Sequence, residues 1–191
     1  MTVLPLVLTL YFSNMAISRG GESCQSDITR IPWQILYADF SGQEVSQKPD
    51  NWDPKNPTQG VKGADLQRKN LTCLKADRAF LVNANLSGAN LIGADFGGAR
   101  LNGAVIVGSD FRKAKITIDQ IKSAENWEDA LFDNDRRIKL GITDEKVREV
   151  FREILEDRNQ NLPEKDLEVL LQQELTEYGI KEQKKVPPEN K

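Results

Sequence analysis

A five-residue period runs through the middle of the chain and constrains its fold more than any other feature. In ANLSGANLIGADFGGARLNGA, residues 84–104, a small residue, a polar residue and a large apolar residue recur in that order. Counted in steps of five from Leu66 to Ile121, eleven of twelve positions are large and apolar. Two residues before each of these positions, nine of twelve are Ala or Ser. The chain therefore carries a regular alternation of small and large apolar residues.

This period fits neither a regular helix nor a regular strand. Five residues advance an α-helix by about 500°, so successive apolar side chains would lie ~140° apart around its axis. In a strand an odd period sends successive apolar residues to opposite faces. The conflict disappears if the chain turns a corner in each unit and stacks its layers on one another. The predicted core then consists of Ala64, Leu66, Leu71, Ala79, Leu81, Ala84, Leu86, Ala89, Leu91, Ala94, Phe96, Ala99, Leu101, Ala104, Ile106, Phe111, Ala114 and Ile116.

The units GADLQ, NANLS, GANLI, GADFG, GARLN and GSDFR resemble the pentapeptide-repeat family, whose pattern is A(D/N)LXX. The resemblance implies a mainly β fold with α-helical caps, in which a right-handed quadrilateral β-solenoid has four units to a coil. Twelve units over residues 64–123 would make about three coils, ~14 Å tall. The first coil is expected to be irregular, because Lys69 is hard to bury and LKADR, residues 74–78, exchanges the small and large positions. ADFSG, residues 38–42, fits the pattern out of register, as a stray or capping coil.

The composition outside the repeat predicts five segments. Residues 1–23 are an apolar N-terminal segment, 24–60 an N-terminal cap with Trp33 and Trp52, 61–125 the repeat, 126–180 a helical cap or hairpin, and 181–191 a disordered tail. DQIKSAENWEDALF resembles the segment that follows many cyanobacterial pentapeptide repeats. That likeness implies a helix that packs on the final coil through Trp127, Ala130, Leu131 and Phe132.

Two amphipathic helices are predicted to form a hairpin at the C-terminal side of the repeat. Thr143 caps the first, whose apolar residues are Val147, Val150, Phe151, Ile154 and Leu155. The second begins near Pro163, ends at Gly179 and carries Leu167, Leu170, Leu171, Leu175 and Tyr178. The hairpin is either a cap on the solenoid or a self-contained pair whose stripes bury each other, or part of these stripes forms a dimer or partner interface.

The N-terminal segment suggests export. An apolar run from Val3 to Phe12 suits the core of a signal peptide and is too short for a confident membrane span. No Lys or Arg precedes it, so a buried strand, a membrane anchor and a cytoplasmic protein are the alternatives. We expect export to a periplasm or thylakoid lumen, with only transient membrane contact. There, Cys24 and Cys73 can pair; otherwise Cys73 is a small buried side chain.

The residue types argue against catalysis. The sequence has no histidine and two cysteines, which excludes Ser/His/Asp and Cys/His nucleophile sets and leaves too few ligands for a zinc or iron-sulfur site. Asp65, Asp95 and Asp110 recur at the polar position of the repeat, so none needs a catalytic role. We therefore expect no enzyme activity, no catalytic or metal-binding residues, no cofactor and no small-molecule substrate.

An interaction or scaffold role remains, with a protein partner that the sequence does not identify. The chain is expected to be a monomer, or a homodimer through the C-terminal helices. The alternative that the resemblance implies is a DNA mimic acting on gyrase, which would need a long anionic column. Residues 61–125 carry ten Lys or Arg against six Asp or Glu, so the short repeat has the wrong charge for that role. Nucleic-acid binding is not expected, because no exposed aromatic residues are interleaved with these cations.

Overall fold

The computed structural model describes residues 46–180 of the 191-residue chain. The N-terminal apolar segment, ADFSG, Trp33, Cys24 and the C-terminal tail lie outside the described residues, so the expectations about them stay predictions. The described helices are α1 (Ile118–Ser123), a 3-10 turn (Trp127–Asp129), α2 (Asn134–Leu140), α3 (Asp144–Arg158) and α4 (Glu164–Tyr178).

Before α1, the chain returns to the same lateral position every twenty residues. Parallel bridges join residues twenty apart, which is four five-residue units, except that Asp110 bridges Leu131, and they form four ladders. Ladder 1 runs through Asp65, Asn85, Val105 and Glu125, ladder 2 through Asn70, Asn90, Asp110 and Leu131, ladder 3 through Lys75, Asp95 and Lys115, and ladder 4 through Phe80 and Arg100. We call residues 65–84, 85–104 and 105–124 layers one to three. Layer four begins at residue 125.

The chain turns after every bridge because every fifth residue adopts a left-handed conformation. From Arg68 to Lys113, all ten residues at this position have a φ between 55° and 70°. Five of the ten are glycine, which adopts this conformation without the steric cost that other residues carry. A turn at each unit leaves one bridged residue per side, so the described part of the repeat has isolated bridges and no continuous strand.

The repeat buries its small and large apolar residues together. All the predicted core residues are buried except Ala64 and Leu66 of layer one, which are half-buried. Leu74 and Ala76 are both fully buried, so the exchanged unit still fills the interior. Lys69 is exposed, which agrees with the difficulty of burying it. The core is filled at each layer from residue 71 onward.

The end of the repeat differs from the prediction. Residues 119–123, expected as the twelfth unit, lie in α1, because Thr117 and Gln120 make a capping box that nucleates a helix. Residues 126–132, expected as a helix, contain only one 3-10 turn. Glu125 and Leu131 still bridge ladders 1 and 2, so this segment extends the layered structure instead of leaving it. Ala130, Leu131 and Phe132 are buried, whereas Trp127 is half-buried.

The predicted hairpin is present as α3 and α4, which pack against each other. The Thr143 side chain accepts a hydrogen bond from the backbone N–H of Lys146, as its cap role requires, and Gly179 ends α4 in the left-handed conformation. The five predicted apolar residues of α3 are all buried. On α4, Leu170 is only half-buried and Glu174 is buried instead, which the apolar pattern did not predict. In residues 46–180, no helix has both the length and the apolar character needed to cross a bilayer.

Candidate interaction surface

Helix α3 lies along ladder 1, from layer four down to layer one. Near its start, Lys146 Nζ is 2.5 Å from Asp129 Oδ1. Further along, a methyl group on Gly108 would lie 3.9 Å from Cγ1 of Ile154. Near its end, Asp157 Oδ1 is 2.5 Å from Arg68 Nη2. Fifteen residues span about 22 Å of helix, enough to cover three layer steps of ~4.8 Å. The hairpin therefore packs on the side of the repeat.

A buried group of charges joins the hairpin to ladder 2. The Arg112 guanidinium donates three hydrogen bonds of 2.6–3.0 Å to the carboxylate of Asp110. Its Nη1 lies 3.7 Å from Oε2 of Glu174 on α4, and its Cζ lies 5.5 Å from the ring centroid of Phe151 on α3. Asp110 and Glu174 are buried. We call these three charged residues the junction.

Burial controls the electrostatics of the junction. Loss of solvent raises the pKa of Glu174, and the nearby Arg112 only partly offsets this rise. Burial would lower the pKa of Arg112, but the attraction of Asp110 outweighs it and raises that pKa. Tyr178, whose hydroxyl donates to the carbonyl of Phe132, has its pKa raised to about 12 by burial. The junction is therefore an anchor built around one permanent cation.

The loop of residues 46–62 covers ladder 4. The Trp52 indole donates to the carbonyl of Pro57 and meets the Phe80 ring edge-on at 5.4 Å. Phe80 and Val82 stand at outward positions of the repeat, yet both are buried with Val61 under this loop. The predicted cap role of Trp52 thus takes the form of a cover over an apolar patch on one side.

Ladder 3 differs from the other three ladders. Its outward surface, which we call the open face, consists of Lys75, Asp77, Arg78, Asp95, Gly97, Gly98 and Lys115. The side chains of Arg78 and Lys115 are 79% and 72% exposed, so neither the 46–62 loop nor the helices cover them. Two ion pairs lie within the face: Arg78 with Asp77 at 2.9 Å, and Lys115 with Asp95 at 3.1 Å.

Hydrogen bonds fix the carboxylate at the centre of the open face. The Asp95 side chain accepts from the backbone N–H of Gly97 at 2.8 Å and from Lys115. Burial acts to raise the pKa of Asp95, but these bonds outweigh it, and the pKa lies below its usual value. Asp95 is therefore a permanent anion at neutral pH.

Gly97 exposes backbone without a side chain in the middle of the open face, and the turn does not require a glycine at this position. Its φ is outside the left-handed region, unlike that of Gly98, at 70°. The three atoms nearest to a Cβ at Gly97 would be side-chain ends: Asp77 Oδ1 at 2.8 Å, Asp95 Oδ1 at 3.1 Å and Lys115 Nζ at 3.2 Å. Because flexible side chains can move aside, the fold would accept a larger residue here. A glycine without such a backbone reason permits close approach from outside.

The polar residues of the repeat have structural roles. Asp65, Asn70, Asn85, Asn90, Asp95 and Asp110 each accept a hydrogen bond from the backbone N–H two residues later, at 2.8–3.3 Å. Such bonds favour the turn that follows each bridge.

Within residues 46–180, no three His, Cys, Asp or Glu side chains form a group suited to a metal ion. Cys73 occupies one of the left-handed turn positions and is a disulfide cysteine in the structure. Its predicted pairing with Cys24 stays a prediction, because Cys24 lies outside the described residues.

Comparison with protein families identifies the repeat. Residues 79–117 match the model of the pentapeptide repeats in 8 copies. The chain contains pentapeptide repeats. No curated protein matches the chain as a whole. The pentapeptide-repeat match covers the most regular units and omits residues 64–78, where Lys69 and the exchanged pair Leu74 and Ala76 depart from the pattern, although the bridges continue through them. The match to pentapeptide repeats suggests a structural or protein-interaction role.

Sequence reasoning missed the residues that distinguish the sides of this pentapeptide repeat. Arg112 and Glu174 are 62 positions apart, and no local pattern connects them. Gly97 belongs to the regular repeat, but its φ, which is outside the left-handed region, is the property that distinguishes it from the glycines at the turns. A comparison of the outward positions unit by unit would have found it, because the equivalent residue of the neighbouring units is not glycine.

Proposed function

We propose that this chain is a non-catalytic scaffold in which a right-handed quadrilateral β-solenoid presents the open face to a protein partner. The twenty-residue spacing of the four ladders supports the solenoid, because four corners of five residues return the chain to its starting side. A turn at every fifth residue supports it as well. The solenoid would hold the open face rigid, so that binding costs little conformational entropy.

One observation carries the interaction role: a cover is present on ladders 1, 2 and 4 and absent from ladder 3 within residues 46–180. Helix α3 lies on ladder 1, the junction on ladder 2 and the 46–62 loop on ladder 4. The open face combines exposed charges of both signs with bare backbone at Gly97 and Gly98. Mixed charges around a flat centre suit the recognition of a protein surface.

The experiment compares two variants of the full chain as bait in a pull-down from cells of its source. Gly97→Arg places a long cation on the open face, whereas Lys139→Met changes an exposed residue of α2, away from that face. We expect a partner captured by the parent and by Lys139→Met, and lost with Gly97→Arg. Equal capture by all three proteins would contradict a role for the open face.

We also propose export, on the apolar run from Val3 to Phe12. Cleavage is expected between Ala16 and Ser23. Mass spectrometry of the protein recovered from cells tests this, and an intact Met1 would contradict it. Comparing the mass with and without reductant tests the pairing of Cys24 with Cys73.

A further inference from the structure

The described residues divide into a basic repeat and an acidic hairpin. Residues 61–117 carry nine Lys or Arg against four Asp, whereas residues 143–180 carry five against eleven Asp or Glu. The net charges are therefore +5 and −6. The junction, the Arg68–Asp157 pair and the Lys146–Asp129 pair use a small part of these charges within the molecule. Most of the remaining charge faces solvent.

On the open face, the surplus charge is positive. Its two carboxylates are each bonded to a cation of the same face, Asp77 to Arg78 and Asp95 to Lys115. Lys75 adds a third exposed cation. The neighbouring Lys113 side is also exposed, so the rim of the face adds to the positive charge.

On the hairpin, the surplus charge is negative and is concentrated around one arginine. Arg152 on α3 lies 2.6 Å from Glu168, 2.9 Å from Glu164 and 3.8 Å from Glu156. One guanidinium therefore neutralises only part of the charge of three carboxylates. Side chains of Glu156 and Glu164 are 53% and 75% exposed, so they are accessible to a second molecule. We call Arg152, Glu156, Glu164 and Glu168 the acidic ridge.

The two surfaces cannot meet within one molecule. The hairpin uses its apolar side against ladders 1 and 2, and the acidic ridge stands on its solvent side. The open face belongs to ladder 3, which the hairpin does not cover. Among residues 46–180, the open face and the acidic ridge are therefore free to match their opposite charges between copies. The bare backbone at Gly97 and Gly98 would let long Glu side chains approach the lysines closely.

We propose that the partner of the open face is a second copy of this chain, which docks through its acidic ridge. This inference rests on the proposed function and names its partner. Since two different patches meet, one copy of a pair keeps a free acidic ridge and the other keeps a free open face, and copies add in a head-to-tail series.

Sedimentation velocity of the purified full chain tests this contact. At low salt and protein concentrations up to about 0.5 mM, we expect the average mass to rise above the 21.5 kDa monomer. At about 0.5 M salt it should return to the monomer, because charges are then screened within a few ångströms. A monomer under all conditions, or a dimer that salt does not affect, would overturn the proposal.

Charge reversal of each patch provides the sharper test. Lys75→Glu with Arg78→Glu, and separately Glu156→Lys with Glu164→Lys, should each reduce association at least about tenfold, because each variant then carries two patches of like charge. An equimolar mixture of the two variants should associate again, since each open face then meets an oppositely charged ridge. Failure of the mixture to associate would refute the assigned contact.

Matched controls separate this contact from a general effect of charge and from the proposed function. Lys122→Glu with Lys139→Glu makes the same change of net charge as the open-face variant, at exposed positions outside both patches, and should associate like the parent. Thermal unfolding of all variants should stay close to that of the parent, as surface substitutions usually do. If the chain never self-associates but captures another protein that Gly97→Arg no longer captures, the proposal of a second copy as partner is refuted. The proposed function of the open face is then still supported.

Discussion

Replacing Arg112 by Met tests whether the junction holds the hairpin against the repeat. Arg112 donates three hydrogen bonds to Asp110 and is the cation that faces Glu174. Methionine keeps the apolar part of the side chain over Phe151 but removes the charge. The variant therefore leaves two buried carboxylates without their cation.

The expected loss of stability follows from that imbalance. Removing one partner from a buried ion pair costs about 3–5 kcal/mol, because the remaining charge stays buried and unpaired. Asp110 is 4% exposed and Glu174 is 5% exposed, so water cannot replace the guanidinium unless the hairpin moves away. We therefore expect the free energy of unfolding to fall by about 3 kcal/mol or more at neutral pH.

Urea unfolding followed by circular dichroism measures this loss, with Arg78→Met as the matched control. Arg78 also pairs with an aspartate, at 2.9 Å, but its side chain is 79% exposed. That exposed pair should contribute less than about 1 kcal/mol. If both variants lose the same free energy, or if Arg112→Met loses less than about 1 kcal/mol, the junction does not anchor the hairpin.

Three further predictions concern the junction, the core and the loop cover. Burial raises the pKa of Glu174, so its stabilising contribution is complete below the pKa of the unfolded chain and is lost as pH rises through the raised value. Glu174→Gln should therefore resist urea better than the parent at neutral pH, and the gap should close toward acid pH; a less stable variant at neutral pH contradicts this. Leu91→Lys places a charge at a fully buried position and should cost more than about 4 kcal/mol, and unchanged thermal unfolding would refute the register. Trp52→Ala should cost about 2 kcal/mol, less than at a fully buried tryptophan, and should expose Phe80 to a hydrophobic dye; no change in dye binding would contradict the cover.

The interior of the repeat was predictable because its causes are local. Five-residue spacing fixes which residues point inward, so the buried set from Leu71 to Ile116 follows from the order of residues alone. The ends of α3 and α4 were predictable for the same reason, since Thr143 and Gly179 act on the backbone next to them. Local rules of this kind need no knowledge of the rest of the chain.

The placement of the hairpin was not predictable in the same way. An amphipathic stripe shows that one side of a helix is buried, but it does not identify the surface that buries it. The surface that receives Ile154 is flat because Gly88 and Gly108 stand one above the other, and each glycine also serves its own turn. Because the turn alone explains each glycine, the sequence does not show that the same residues also make room for a helix. Glu174 differs from these glycines, because nothing nearby in the sequence explains a buried glutamate on an apolar stripe. Its burial requires a cation from a distant part of the chain.

The outward positions of each unit indicate what lies against that side. Phe80 is apolar at a position where most units carry a polar residue, and the 46–62 loop covers it. Arg112 is charged yet largely buried, and the hairpin supplies its second carboxylate. In both cases, a residue that the turn does not require is explained by a neighbour outside the repeat. Gly97 is likewise not required by the turn, and the side-chain ends that would crowd a Cβ there, those of Asp77, Asp95 and Lys115, belong to the open face itself. The same reasoning predicts that its neighbour belongs to another molecule, which is why substitution of Gly97 should affect binding before it affects folding.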